Sequence, residues 1–177
     1  MITQPIVILD VAYDDAAGTA RSAAVLAPSF AALEPSAERV VDVAGVAPYV
    51  PGSFFLRELP CLLAVLATAP VPADAVLVID GYVILDDVGR KGLGMHLHEA
   101  TGRAVVGIAK TAFKRSSFAR EVPRGSSRRP LFVTAVGVDL DDAADAVRLM
   151  AGGTRLPLLA VRADHLARGL AVVRATV

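Results

Sequence analysis

Short, unbroken apolar runs constrain this chain more than any other feature: IVIL at 6–9, AVLVI at 75–79 and AVVGIA at 104–109. Strands with one wet face alternate apolar and polar residues, whereas continuous runs of Val, Ile, Leu and Ala mark strands covered on both faces by helices. The three runs stop at Asp10, Asp80 and Lys110. With 54% hydrophobic and 20% charged residues, the 177-residue chain can build one core that hides roughly two-thirds of the unfolded surface. One domain over residues 1–177 is expected.

Strands over 5–12, 21–27 and 38–46, joined by short connections, predict an antiparallel meander whose first turn is the Asp14–Gly18 cluster. Ser53 caps a predicted helix to about Ala69. A strand over 75–84, a helix over 93–102 stopped by Gly102, and a strand ending at Lys110 follow. Residues 111–129 read as a polar, basic loop, with a short hairpin as the alternative, then a strand over 131–137, a helix over 141–151 and a last helix from about Asp164, with Asp164 as a candidate for its N-cap. This order resembles that of a ribonuclease-H-like α/β domain with a mixed central sheet of five or six strands flanked by helices.

No apolar run reaches the eighteen or so residues that cross a bilayer, and MITQPIVILD enters a strand without a basic leader, so a cytoplasmic protein with no membrane partner is expected. Cys61, the sole cysteine, lies in LPCLLAVL and reads as a small buried hydrophobe. His96 and His98 are two apart on a predicted helix, which points them to different faces and excludes a zinc pair. No Gly-rich phosphate loop, Ser-His-Asp pattern or cysteine cluster is present. Net charge is zero, yet eight basic residues against one acid lie between Arg103 and Arg129, while acids gather at 10–15, 86–87 and 139–145. A local phosphate-binding face and a solvated basic loop both fit that segregation.

A carboxylate at the end of a buried strand loses hydration and must be paired or bind a cation. If the strands carrying Asp10 and Asp80 are neighbours, both carboxylates point at one spot, and an all-oxygen donor set suits Mg²⁺ or Mn²⁺. Glu58, early in the predicted helix, would be a third acid. The plain alternative is that these acids only cap strand ends. Lys110 is either a surface lysine or a contact for a phosphate oxygen or leaving group. In PYVPG the prolines fix φ on either side of Tyr49, so an aromatic ring is presented at little ordering cost.

The run PYVPGSFFLRE resembles the PYIPG...FRE signature of endonuclease V, a nuclease that acts on deoxyinosine in DNA and, for some members, on inosine in RNA. LDVAY around Asp10, VIDG around Asp80, GIAK ending at Lys110 and RLP...VRAD ending at Asp164 follow in the family's order, so the resemblance covers about residues 6 to 170. It implies that Asp10 and Asp80 bind the metal, that Glu58 is the third catalytic and metal-binding carboxylate, and that Lys110 and Asp164 complete the active site. It implies that Pro48, Tyr49, Val50 and Pro51 form a wedge entering the duplex where a base has left the stack. Gly81 and Gly107 would line the pocket for the extruded hypoxanthine, with Phe54 and Phe113 as apolar walls. The implied reaction is Mg²⁺- or Mn²⁺-assisted attack of water on a phosphodiester near the lesion, leaving a 3′-hydroxyl and a 5′-phosphate.

The chain also departs from the family. Where DGHG...HPRR is usual it reads DGYVILDDVGRKG, with Tyr82 and Val83 for His-Gly, acids near the usual histidine, and Arg90 and Lys91 matching the basic pair only with a shift. Asp139 replaces a serine, and no helical extension precedes the first aspartate. Three readings therefore stand: a metal-dependent endonuclease, a catalytically weak homologue that binds inosine-bearing or distorted strands, and an apolar turn used for self-association through Tyr49. The oligomeric state stays open.

Overall fold

IVIL becomes the first half of β1 (Ile6–Asp14), an interior strand of a seven-stranded sheet. The computed structural model describes residues 1–48, 54–113 and 116–171. β1 pairs antiparallel with β2 (Thr19–Ala27), and β2 with β3 (Ala37–Ala44), which gives the expected meander. On its other side β1 runs parallel to β4 (Val76–Asp80), and β4 parallel to β5 (Val105–Ala109). β7 (Leu131–Val136) then pairs antiparallel with β5, and β6 (Arg120–Val122) antiparallel with β7. The order across the sheet is β3-β2-β1-β4-β5-β7-β6.

Side chains alternate across a strand, so the continuous apolar runs feed two cores at once. Ile6 and Ile8 face α3 (Leu140–Leu149) and α4 (Leu158–Ala167), while Val7 and Leu9 face α1 (Phe54–Thr68) and α2 (Leu93–Thr101). All four are at most 3% exposed. Burying each such side chain contributes about 1.5–3 kcal/mol. Cys61 is buried on α1 as expected.

Three expectations change. The sheet has seven strands rather than five or six, because β6 lies inside the segment read as a loop or short hairpin; three residues are too few to show an alternation. β4 ends at Asp80 rather than at residue 84, since Gly81 at φ +135° turns the chain out of the sheet. α4 begins at Leu158, after Pro157 in an extended conformation with no side-chain cap, so Asp164 lies within the helix and is not its N-cap. Proline presets the backbone for a helix start without a polar side chain to announce it. Asp139, by contrast, caps α3: its Oδ1 accepts from the N–H groups of Asp141 and Asp142 at 2.9 and 3.0 Å. Among the described residues no helix is long and apolar enough to cross a membrane.

Candidate active site

The parallel register of β1 and β4 ends at the pair Leu9 and Ile79, so Asp10 and Asp80 are next in line on adjacent strands. Beyond this point β1 continues only as a hairpin with β2, and the sheet opens into a cleft at the carboxyl ends of its parallel strands. That is where open α/β sheets carry their ligands. Glu58 reaches the cleft from α1 on one face of the sheet and Asp164 from α4 on the other. Lys110, just past β5, donates from Nζ to Asp80 Oδ2 at 2.6 Å. All five line one cavity of about 880 Å³, together with Tyr13, Phe54, Gly81, Tyr82 and Arg168.

Burial pushes the Asp10 carboxyl up to about 6, against a 2.8 Å hydrogen bond from Val11 N–H and with the charges of Asp80 and Asp164 adding to the rise. Glu58 is 6% exposed; burial, then the charges of Asp10 and Asp80, push it up to about 8 despite the neighbouring Arg57. Its Oε2 is buried without a hydrogen-bond partner among the described residues. Burial works against the charge on Lys110, but the hydrogen bond and charge of Asp80 outweigh it, with Asp10 and Asp164 adding, and the ammonium is held above its usual range.

Clustered carboxylates with an orphaned buried oxygen fit a hard divalent cation, whose charge would offset both the burial and the mutual repulsion. The donors are all oxygen, which suits Mg²⁺ or Mn²⁺ and not zinc. Asp10, Glu58 and Asp80 do not form a ready three-sided cage: among the described residues no group of three His, Cys, Asp or Glu side chains is arranged to hold an ion. Asp80 Oδ2 is turned onto Lys110, and Asp10 Oδ1 onto Val11 N–H. Mg²⁺ ordinarily needs only one or two carboxylates, the rest of its shell being water and substrate phosphate, so the residues fit that mode of binding.

The other candidate residues divide. Tyr49, Val50 and Pro51, the expected tip of the wedge, lie outside the described residues, as does Ser53; Pro48 borders a separate groove with Asp14, Thr19 and Arg57. Phe54 lines the cleft and meets Tyr13 edge-on, ring centroids 6.4 Å apart. Gly81 is on the cleft wall. Gly107 is not: it is buried in β5, and a Cβ there would stand 2.5 Å from the Gly81 carbonyl oxygen. Its missing side chain lets the segment leaving β4 cross over β5. Phe113 is half exposed, tilted against Tyr82 at 6.4 Å, with the Arg90 guanidinium 6.0 Å from its ring centre.

Among the described residues of the basic stretch, Arg103, Arg120 and Arg124 are engaged within the protein. Arg124 is buried, and its guanidinium donates to the carbonyls of Val147 at 2.6 Å and Met150 at 2.8 Å, closing the C-terminal end of α3. Arg120 pairs with Asp141 at 2.6 Å, and Arg103 donates to the Ala73 carbonyl at 3.1 Å. Lys114 and Arg115 are outside the described residues. The acids in the region of the usual family histidine are likewise engaged: Asp86 is buried and pairs with Arg90 at 3.0 Å, and Asp87 accepts from Ser117 N–H and Oγ.

Sequence reasoning missed three supporting residues. Tyr82 donates its hydroxyl to the Thr111 carbonyl at 2.7 Å and accepts from Phe113 N–H at 3.1 Å, so it ties the loop after β5 to the exit of β4. Arg57 lies 3.7 Å from the centre of the Tyr13 ring and is ion-paired with Asp15, which braces the turn of α1 that carries Glu58. Arg168 donates from Nε to Asp164 Oδ1 at 2.8 Å. Only the last had a legible signal, an opposite charge four residues along a helix.

A mixed sheet with a meander of three strands, parallel central strands and an acidic cleft at their ends defines a ribonuclease-H-like α/β protein. The endonuclease V family model matches residues 2–135. Endonuclease V of Streptomyces avermitilis is 35% identical over 181 aligned residues, covering 90% of this chain and 77% of that protein. The crystal structure of an endonuclease V from the same organism superposes with a TM-score of 0.80 at 33% identity, covering 94% of this chain and 81% of that one. The Ciona intestinalis endonuclease V, crystallised with a 23mer DNA containing an inosine followed by a ribo-adenosine, shares the fold at a TM-score of 0.77 and 19% identity, covering 94% of this chain and 84% of that one. The chain belongs to the endonuclease V family.

Proposed function

We propose that this protein is a metal-dependent endonuclease that hydrolyses a phosphodiester near deoxyinosine in DNA, or inosine in RNA, acting in the cytoplasm as a single unit over residues 1–177. The observation that carries the reading is the meeting of Asp10, Glu58, Asp80, Asp164 and Lys110 on one cleft, with Glu58 Oε2 buried and unpartnered among the described residues. Family membership and the inosine-containing DNA bound by the Ciona protein support the choice of substrate.

Asp10 and Asp80, with Glu58 behind them, would hold Mg²⁺ or Mn²⁺. Such an ion supplies an activated water and charge stabilisation on the leaving oxygen. Glu58, which lines the same cleft as Asp10 and Asp80, is the candidate to take a proton from the attacking water. Lys110 keeps its full charge and is in position to hold a phosphate oxygen or the leaving group once Asp80 turns away from it. Phe54 and Tyr13 form an apolar side of the cleft on which a base can rest.

One observation favours a second reading, binding without turnover. The position that follows Asp80-Gly81 holds Tyr82, fastened to Thr111 and Phe113, where a titratable imidazole is usual in the family's motif. Cleavage of inosine-containing DNA and RNA oligonucleotides side by side, with Mg²⁺ and with Mn²⁺, separates the two. Metal-dependent cutting that needs the inosine supports the nuclease; tight binding with no cutting in either metal supports the second reading and overturns the first.

A further inference from the structure

The acids of the cleft are flanked by two cations, Lys110 on the β5 side and Arg168 at the end of α4, and only the first has a part in the reaction proposed above. Arg168 is 60% exposed, and its one side-chain hydrogen bond among the described residues is from Nε to Asp164, so the four N–H bonds of its two Nη groups remain for a ligand. It lines the cleft and also a neighbouring groove of about 670 Å³ that runs beneath the β1–β2 hairpin past Ala12, Thr19, Asp42 and Ala167. Arg21 is in that groove too, but Asp42 takes its Nε and Nη2 at 2.7 and 3.2 Å. A nucleic-acid strand threading four carboxylates needs a fixed cation on each side to outweigh repulsion of its phosphates. A guanidinium held at Nε with its fork outward matches a phosphate in two-point geometry.

We propose that Arg168 is a phosphate-binding residue, which holds the backbone of the substrate strand where it passes from the acidic cleft into the groove beneath the β1–β2 hairpin. The proposal rests on the nuclease reading and adds to it a direction for the strand: past α4 on one side of the acids, with Lys110 on the other.

The test is binding of a fluorescent single-stranded oligonucleotide containing one deoxyinosine, in the Asp80→Asn background so that the strand stays whole, over a series of salt concentrations. Arg168→Gln should weaken binding and reduce the slope of log K against log salt by about 0.7, the share of one phosphate contact. Arg168→Lys should keep the slope. With oligonucleotides shortened one nucleotide at a time from either end, the penalty of Arg168→Gln should vanish at one length and from one end only. An unchanged slope, or an equal penalty at every length, overturns the role of Arg168 while the nuclease reading stands. If the Asp80→Asn protein binds the inosine strand no better than an inosine-free one, the substrate reading fails and takes this proposal with it.

Discussion

Lys110 Nζ and Asp80 Oδ2 are 2.6 Å apart across the ends of two parallel strands, and each side chain is nearly half exposed. A pair so open to water contributes at most about 1 kcal/mol to folding. Its position is therefore better explained by chemistry than by stability. Asp80→Asn should lower single-turnover cleavage of an inosine oligonucleotide by about 10³-fold while moving the thermal midpoint little. Cleavage within a few-fold of the unchanged protein would remove Asp80 from the metal site.

That Asp10 and Asp80 each close a buried strand was legible in the sequence, because each ends a continuous apolar run; that the two strands are neighbours is shown only by the register of β1 and β4. What was not legible depended on segments far apart in the chain. Arg124 sits in EVPRGSSRRP, which reads as solvated, and its burial follows from the end of α3 folding against it some twenty residues later. The start of α4 escaped because Pro157 offers no polar cap, and Asp164, with its strong preference for caps, drew the boundary too late. Gly107 looked like a pocket wall by its match to the family, and only the course of the chain after β4 shows what lies above it.

The acidic cleft should make metal-free stability depend on pH. The Glu58 carboxyl rises from 4.5 to about 8 on folding and that of Asp10 from 3.8 to about 6. Over these intervals the folded state holds more protons than the unfolded one, so stability is fully present below about 4 and is lost as pH rises, through about 6 for Asp10 and about 8 for Glu58. The thermal midpoint in a chelator should fall across that window. Glu58→Gln should remove the upper part of the fall. A flat profile would mean that the acids are not buried together.

Metal binding should show the opposite trend. An ion held by carboxylates displaces their protons, so Mn²⁺ affinity should rise with pH through the interval from about 6 to about 8, with proton release measurable by calorimetry in buffers of different ionisation heat. Mg²⁺ added at the upper end should restore the stability lost there, because binding to the folded state alone stabilises it. Mn²⁺ binding that is unaffected by Asp10→Asn and by Asp80→Asn would exclude this cluster as the site.

Gly107→Ala tests the crossing over β5. Its new Cβ would meet the Gly81 carbonyl oxygen at 2.5 Å and Thr134 Oγ1 at 2.8 Å; the first is backbone and cannot swing aside. We expect a loss of about 1–3 kcal/mol in chemical unfolding. Cleavage should fall as well, because Gly81 and Tyr82 border the acids. A stable variant with full activity would show that the segment after β4 is free to move without consequence for the site.

Arg124 and Arg168 separate structure from binding within one set of arginines. Arg124→Met removes the buried donor that closes α3, leaving the Val147 and Met150 carbonyls without it, which should cost about 2–4 kcal/mol. Its effect on nucleic-acid binding should be absent at temperatures where the variant is folded, and the salt slope should match that of the unchanged protein. The exposed Arg168 should behave in the reverse way under the same two measurements. If Arg124→Met instead lowers the salt slope with little loss of stability, the guanidinium faces the nucleic acid in solution, and the basic stretch between Arg103 and Arg129 is a phosphate-binding face after all.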